Sequence, residues 1–311
     1  MLETIKKGLD VGVKTTWTLG KIIFPVTLIV SLLQHTPILQ WLIKLVAPLM
    51  GWIGLPGDAA IPLVLGNFLN LYAGIGAILT LHLTVKEVLI LAVMLSFSHN
   101  LLVEVTVAGK VGVNVVLAVA VRVSLAIVSA FFIHLAWQGG NDIAQYGFIS
   151  NSGEQLTSWS DVILAGVQKA FVGIVQLAMI VIPLMVGIQV LKDLKWLDVF
   201  SRWMAPVTKV LGMKENTSMT LAAGLLFGLA YGAGVMIQAV KEDGVSKKDV
   251  TLAFLFLSAC HAVVEDTLLF VPLGIPVWPL LLIRLTTAII LTVAASFTWN
   301  RIVQTRRKEA V

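Results

Sequence analysis

The sequence predicts an all-α polytopic membrane protein made of two inverted repeats, each with spanning helices, an interfacial amphipathic helix and a re-entrant hairpin. Three observations predict it. The 311 residues are 58% hydrophobic and only 13% charged, with a mean hydropathy of +0.94, which no soluble domain of this size matches. The same pattern also occurs twice. At an offset of 158, Pro25 falls on Pro183, Pro48 on Pro206, Gly66 on Gly224 and Gly74 on Gly232. After four residues inserted near Lys241–Gly244 the offset becomes 162, and His99 falls on His261, Glu104 on Asp266, Arg122 on Arg284 and Trp137 on Trp299. Apolar helices repeat Leu and Val by chance, but not Pro, Gly, His, a carboxylate and Arg in order. Third, the cations are unevenly placed. Lys and Arg crowd both termini and are absent from residues 139–160, so both termini should be cytoplasmic and that loop external.

The halves must share one interface, so a single transmembrane domain over residues 1–311 is expected, with repeat 1 at 15–138, repeat 2 at 161–302 and the polar external loop 139–160 between them. In repeat 1, residues 15–36 are long and apolar enough to span, preceded by an interfacial lead-in carrying Lys6, Lys7, Asp10 and Lys14. Residues 38–54, with Trp41, Lys44 and Trp52, are amphipathic; 57–82 are apolar but broken by Gly66, Gly74 and Gly76; 84–107 and 110–138 span again. Repeat 2 gives 161–191, 195–212, 215–240, 247–270 and 275–302. Opposite repeat orientation requires an odd number of crossings in each. The second amphipathic stretch carries Lys192, Lys195, Arg202 and Lys209, with Lys214 after it, a set costly at the bilayer centre but favourable on the cytoplasmic leaflet. Three crossings per repeat keep it there, leaving the glycine-broken segments to re-enter.

The run Phe24-Pro25, then Trp41 to Pro48, then the glycine-broken segment 57–82 resembles the Gate or nucleoside-recognition domain. That domain is similar to the core of concentrative nucleoside transporters, to the permease part of Feo-type ferrous-iron transporters and to spore-maturation membrane proteins. The resemblance implies the order helix, interfacial helix, re-entrant hairpin, helix, present twice and inverted. It implies a fold better than a substrate. The acidic residue that nucleoside transporters carry in the first hairpin is missing here, and the chain has no P-loop, so a GTPase would be a separate protein.

Helix-breaking glycines at equivalent places in inverted segments point to a transport site. Gly74, Gly76, Gly232 and Gly234 are therefore candidate tip residues, and Asn67, Asn70, Tyr72 and Tyr231 candidate pocket side chains; close helix packing is the competing reading of the glycines. His99 and His261 lie in the fourth segments, with Glu104 and Asp266 five residues later on what reads as the same helix. Five residues turn a helix by roughly 500°, so each His and its carboxylate should diverge by about 140°. His261 and Glu265 are spaced four apart, but position 103 in repeat 1 is Val, which is weak support for a metal clamp. Arg122 and Arg284 lie deep in apolar helices, where an unpaired Arg costs at least about 2.5–3.5 kcal/mol; Glu104 and Asp266 are their natural partners, within or across repeats. Each pair reads as a strut or as a gate, and each His as a packing hydrogen bond or as a proton-coupling group.

The expected function is a secondary transporter or permease of a small polar or charged solute, working by alternating access and proton-coupled, in the cytoplasmic membrane of a prokaryote. A non-transporting scaffold or signalling protein of the same fold is the alternative. No catalytic residues, cofactor, metal or nucleic-acid partner are expected; the lipid bilayer and the solute are the partners, with a homo-oligomer left open. The single Cys260 excludes an internal disulfide, and beside His261 it diverges too far to form a nucleophile–base pair, so no enzyme is expected.

Overall fold

Hydrophobic runs of this length leave the backbone one choice, since lipid offers it no hydrogen bonds: helix throughout. The computed structural model describes residues 2–33, 36–147, 158–241 and 244–309, without the side chains of 38, 39, 42, 230, 231, 241 and 306–309. Among these there are thirteen α-helices, short 3-10 turns and one isolated bridge, but no strand. Six helical stretches are long and apolar enough to cross a membrane. Residues 148–157 of the inter-repeat loop, residues 242 and 243 and the Tyr231 side chain lie outside the described part.

The chain forms two compact units that do not follow the repeat boundary. The first takes Met1–Leu101, Leu125–Asp193 and Thr267–Leu280; the second takes Leu102–Ser124, Leu194–Asp266 and Leu281–Val311.

In the first unit α1 (Leu2–Leu33) packs along α8 (Trp159–Asp193), its counterpart from the other repeat. Small residues make the seam. A Cβ on Gly8 would sit 2.6 Å from the Val186 Cα, and one on Gly12 2.9 Å from the Ile182 Cα. Further along, Gly166 of α8 faces Leu28 and Ser31. Buried positions on α1 recur as Gly8, Gly12, Leu19, Ile23, Thr27 and Val30, one helical stripe. Residues 2–14, read from the sequence as an interfacial lead-in, are continuous with the rest of α1 and pack on α8 through these glycine contacts, which hydropathy does not register.

α2 (Pro37–Trp52) leads through a tight turn to α3 (Ala60–Phe68) and α4 (Leu71–Ile78). α3 and α4 form a helical hairpin. A Cβ on Gly74 would lie 3.2 Å from the Gly66 Cα and 3.1 Å from the Pro62 carbonyl oxygen. The apex is at Leu69–Asn70, and the Asn70 Oδ1 caps α4 by accepting from the Ala73 amide at 3.0 Å. Behind the hairpin runs α5 (Val85–Ser98), apolar on every side and buried from Val88 to Ser98. A reciprocal Thr84–Glu87 capping box starts it. The loop after α7 (Val115–Ala136) docks there, with the Val85 amide donating to the Asp142 carbonyl and the Ala144 amide to the Leu83 carbonyl, both at 2.9 Å. Tyr146 is wholly buried in that loop, and burial pushes its phenol pKa up.

The second unit repeats these devices. α9 (Trp196–Val210) leads to α10 (Ser218–Lys241), which turns back on itself at Gly228 (φ 80°, ψ 173°). Across that turn a Cβ on Gly232 would lie 3.3 Å from the Gly224 Cα. α11 (Lys247–Ala259) is buried from Asp249 onward and is capped by the Ser246 Oγ, which accepts from the Asp249 amide. The unit is completed by α6 (Leu101–Lys110), α12 up to Asp266 (Val263–Leu268) and most of α13 (Val277–Glu309).

Two further expectations are corrected. The fourth segment of each repeat is not one helix: α5 stops at His99 and α11 at Cys260, and each chain restarts a few residues on. The hairpin apices are also not at the paired glycines. Gly66, Gly74, Gly224 and Gly232 sit where the arms touch, and the turns fall midway between them, at Asn70 and Gly228. Glycine here serves close approach of two arms, which composition cannot tell from helix breaking.

Candidate functional site

Each broken core helix is shaped by its hairpin. The lack of a Cβ at Gly66 lets the hairpin sit against Leu95 of α5, close enough for the Asn100 amide to donate to the Gly66 carbonyl at 2.9 Å. In the second unit Gly224 sits against Leu257, and the Ala262 amide donates to the Gly224 carbonyl at 3.1 Å. The amide just past each break is thereby satisfied by hairpin backbone. Both donors are non-glycine residues with left-handed backbone, φ 53° at Asn100 and φ 40° at Ala262, a conformation costing about 1–3 kcal/mol that clusters at functional sites.

The histidines sit at these breaks. His99 Nδ1 bonds the Leu95 carbonyl at 2.7 Å, and His261 Nδ1 the Leu257 carbonyl at 2.7 Å. A carbonyl only accepts, so Nδ1 carries the proton in both rings. One turn earlier Ser96 and Ser258 are buried, and neither hydroxyl has a hydrogen-bond partner among the described residues. These serines were missed in the sequence, although the offset of 162 pairs them as it pairs the histidines.

The second unit gathers four buried charged side chains around His261. Arg122 of α7 pairs with Glu104 of α6, and Arg284 of α13 pairs with Asp266 of α12 at 3.0 Å. Both guanidiniums are fully buried. Arg284 also donates to the His261 carbonyl, which the helix break has released from the ladder. His261 Nε2 lies 3.3 Å from Glu104 Oε1 and 3.6 Å from Asp266 Oδ2. The expected 140° divergence of His261 from Asp266 does not hold, because the break between Cys260 and Val263 resets the rotation. The same break takes His261 and Glu265 off any common helix; Glu265 is half-buried on α12.

The chemistry of the cluster follows from its donors. Nδ1 is committed as a donor, so a neutral His261 would turn a bare lone pair at Nε2 toward two carboxylates. That contact is repulsive unless a proton sits on Nε2 or on one of the carboxyls. The two guanidiniums already balance the two carboxylates, so an added proton changes the cluster by one unit and a divalent cation by two.

The hairpin candidates divide. Asn70 is an N-cap, Gly74 and Gly232 are arm contacts, and Gly76 faces Thr27 of α1, whose hydroxyl donates to the Gly76 carbonyl at 3.2 Å. Gly234 has open space around it among the described residues. Tyr72 is half-buried. Asn67 donates to the Leu63 carbonyl at 2.7 Å, while its Oδ1 is buried and accepts nothing among the described residues.

Fold and site together define a multi-pass helical membrane protein of two repeats, each with a helical hairpin set against a core helix that breaks at a histidine. The chain belongs to the Gate family, described as nucleoside recognition, which matches residues 16–121 and 174–274, one stretch in each repeat. It is 64% identical over 301 residues to the uncharacterized membrane protein YvoD of Bacillus subtilis (strain 168), covering 97% of this chain and 96% of that one. No solved structure matches it.

Proposed function

We propose that this protein is a secondary transporter of a small polar or charged solute, with the two repeats inverted, the hairpins re-entrant and both termini cytoplasmic. The observation that carries this is the pair of equivalent helix breaks, each strained, each tied to a hairpin and each bearing a histidine. Discontinuous core helices at matching places in two repeats are the recurrent build of alternating-access carriers, because irregular backbone at membrane depth survives only where protein or a water-lined path satisfies it. His261 with Glu104 and Asp266 is the proton-holding group in this reading. Arg122 and Arg284 pair with the two carboxylates, and proton gain or loss within the cluster changes the charge that it must balance. No bond of the solute is broken, so the protein is not an enzyme in this scheme.

The test is uptake by proteoliposomes of nucleosides, bases, divalent metals and organic acids, each with and without an inward proton gradient. Wild-type flux of the true solute should rise with the gradient. His261→Gln should keep exchange down a solute gradient but lose the response to pH. Uptake that ignores the gradient would remove the proton role and leave the carrier. No uptake of any solute by folded protein would favour a scaffold, a reading supported by the close packing of the hairpin arms at Gly66 and Gly74.

A further inference from the structure

The first unit carries a groove that the transport reading does not use. It encloses about 490 Å³ between α1, α2 and α3, and every described residue lining it is apolar. Ile29 and Leu33 form one wall, Ile43 and Val46 of α2 the second, Ile61 and Val64 of the hairpin the third. A polar solute entering it would give up its water and find no partner. Along the hairpin the lining runs from Gly57 to Leu69, roughly 18 Å at 1.5 Å per residue. One leaflet of a bilayer is half of a ~30 Å hydrocarbon core, so the groove matches one extended acyl chain.

The rim adds a headgroup signature. Lys44 is the one charged residue of α2; it is exposed and follows the lining residue Ile43 directly. Trp41 and Trp52, near the two ends of the same helix, are also exposed, as expected of a helix lying at headgroup depth. An exposed cation next in sequence to a residue of the apolar slot, on a helix of interfacial composition, complements a lipid phosphate.

Repeat 2 fills the same positions with polar residues. At the offset of 158, Ile43 corresponds to Ser201, Gly57 to Glu215 and Ala60 to Ser218. Ser201 and Ser218 are buried and joined through their hydroxyls at 3.2 Å, tying α9 to α10. In repeat 1 neither Ile43 nor Ala60 carries a hydroxyl to make that tie; α2 instead touches the backbone at Gly57, where an added Cβ would lie 2.6 Å from the Ile43 carbonyl oxygen, and the slot opens beside that contact.

We infer that the groove between α1, α2 and α3 binds one acyl chain of an anionic phospholipid, whose phosphate lies at Lys44. The inference needs only that the chain spans a membrane; it stands or falls separately from transport. The test is native mass spectrometry of the full-length protein released from detergent, after titration with dioleoylphosphatidylglycerol or dioleoylphosphatidylcholine. Wild type should retain one phosphatidylglycerol preferentially. Val64→Trp, at a half-exposed wall position, should abolish that bound species. Lys44→Gln leaves the groove intact and should weaken phosphatidylglycerol retention roughly fivefold, the worth of one lysine near a lipid surface, while leaving phosphatidylcholine unchanged. Equal lipid retention by wild type and Val64→Trp overturns the inference. So does a dimer in the wild type that Val64→Trp dissociates, since the groove would then belong to a second copy of the chain. Equal retention of both lipids in wild type, unaffected by Lys44→Gln, overturns the headgroup assignment and with it the anionic ligand.

Discussion

The two hairpins reach one geometry by different chemistry. In repeat 1 the chain turns at Asn70, which stays in an extended conformation and spends its side chain on capping α4. In repeat 2 the equivalent residue is Gly228, with φ 80° and ψ 173°, a region open almost only to glycine. One copy holds its turn with a hydrogen bond, the other with conformational freedom. The amphipathic helices diverge as well: α9 is tied to its hairpin through Ser201 and Ser218, while α2 leaves an apolar slot. What does not diverge is the joint beneath. Gly66 and Gly224, Leu95 and Leu257, His99 and His261 hold the same contacts. Duplicated segments drift where several solutions serve and stay alike where a backbone hydrogen bond needs a carbonyl at one distance.

The comparison breaks most completely if the repeats are not inverted. In a Cys260→Ser background, Asn141→Cys and Lys247→Cys both place the thiol at exposed positions. An impermeant maleimide on intact cells should label the first and spare the second; labelling of both from outside would end the inverted arrangement, and with it the carrier reading.

The next largest effects should come from the arginines. Removing one member of a buried ion pair costs about 3–5 kcal/mol, so Arg122→Leu and Arg284→Leu should each lower the midpoint of thermal unfolding in detergent sharply. Arg284→Leu should be the worse of the two: in either variant the orphaned carboxylate still faces His261, Glu104 at 3.3 Å and Asp266 at 3.6 Å, but only Arg284→Leu also strips the His261 carbonyl of its donor. Adding Glu104→Gln to Arg122→Leu should recover most of the loss. Unfolding curves for both single variants that overlay wild type would show that the pairs contribute nothing.

The turns come third. Gly228→Ala forces a Cβ into a glycine-only conformation at about 1–3 kcal/mol. Asn70→Ala loses one cap, worth about 1 kcal/mol. Chemical unfolding should therefore rank Gly228→Ala below Asn70→Ala; the reverse order would mean that the cap, and not the backbone, limits hairpin stability. The smallest effect is expected at Ser201→Ala, where one neutral hydrogen bond worth about 1 kcal/mol is lost, leaving the Ser218 hydroxyl buried. A variant as stable as wild type would show that α9 is held by its apolar face alone.

Much of this was legible in the residues themselves. Hydropathy and length set the helical class and the spans, because in lipid the backbone has to satisfy itself locally. The repeat follows from order and offset: Pro25, Gly66, His99, Glu104 and Arg122 each recur in step, and the family match falls in both halves. Burial of Arg122 and Arg284 demanded carboxylates, and Glu104 and Asp266 were the nearest of the right kind. The breaks at His99 and Cys260 were not legible. The segments 84–107 and 247–270 read as continuous helices, since nothing in them is Pro, and the residues that take left-handed backbone are Asn100 and Ala262. Only the tertiary structure decides those breaks, because the acceptors that stabilise them, the carbonyls of Gly66 and Gly224, lie tens of residues away in the chain. The same holds for the cluster around His261. Local rotation along one helix separates His261 from Asp266, and it took a long-range hydrogen bond interrupting that helix to bring them together.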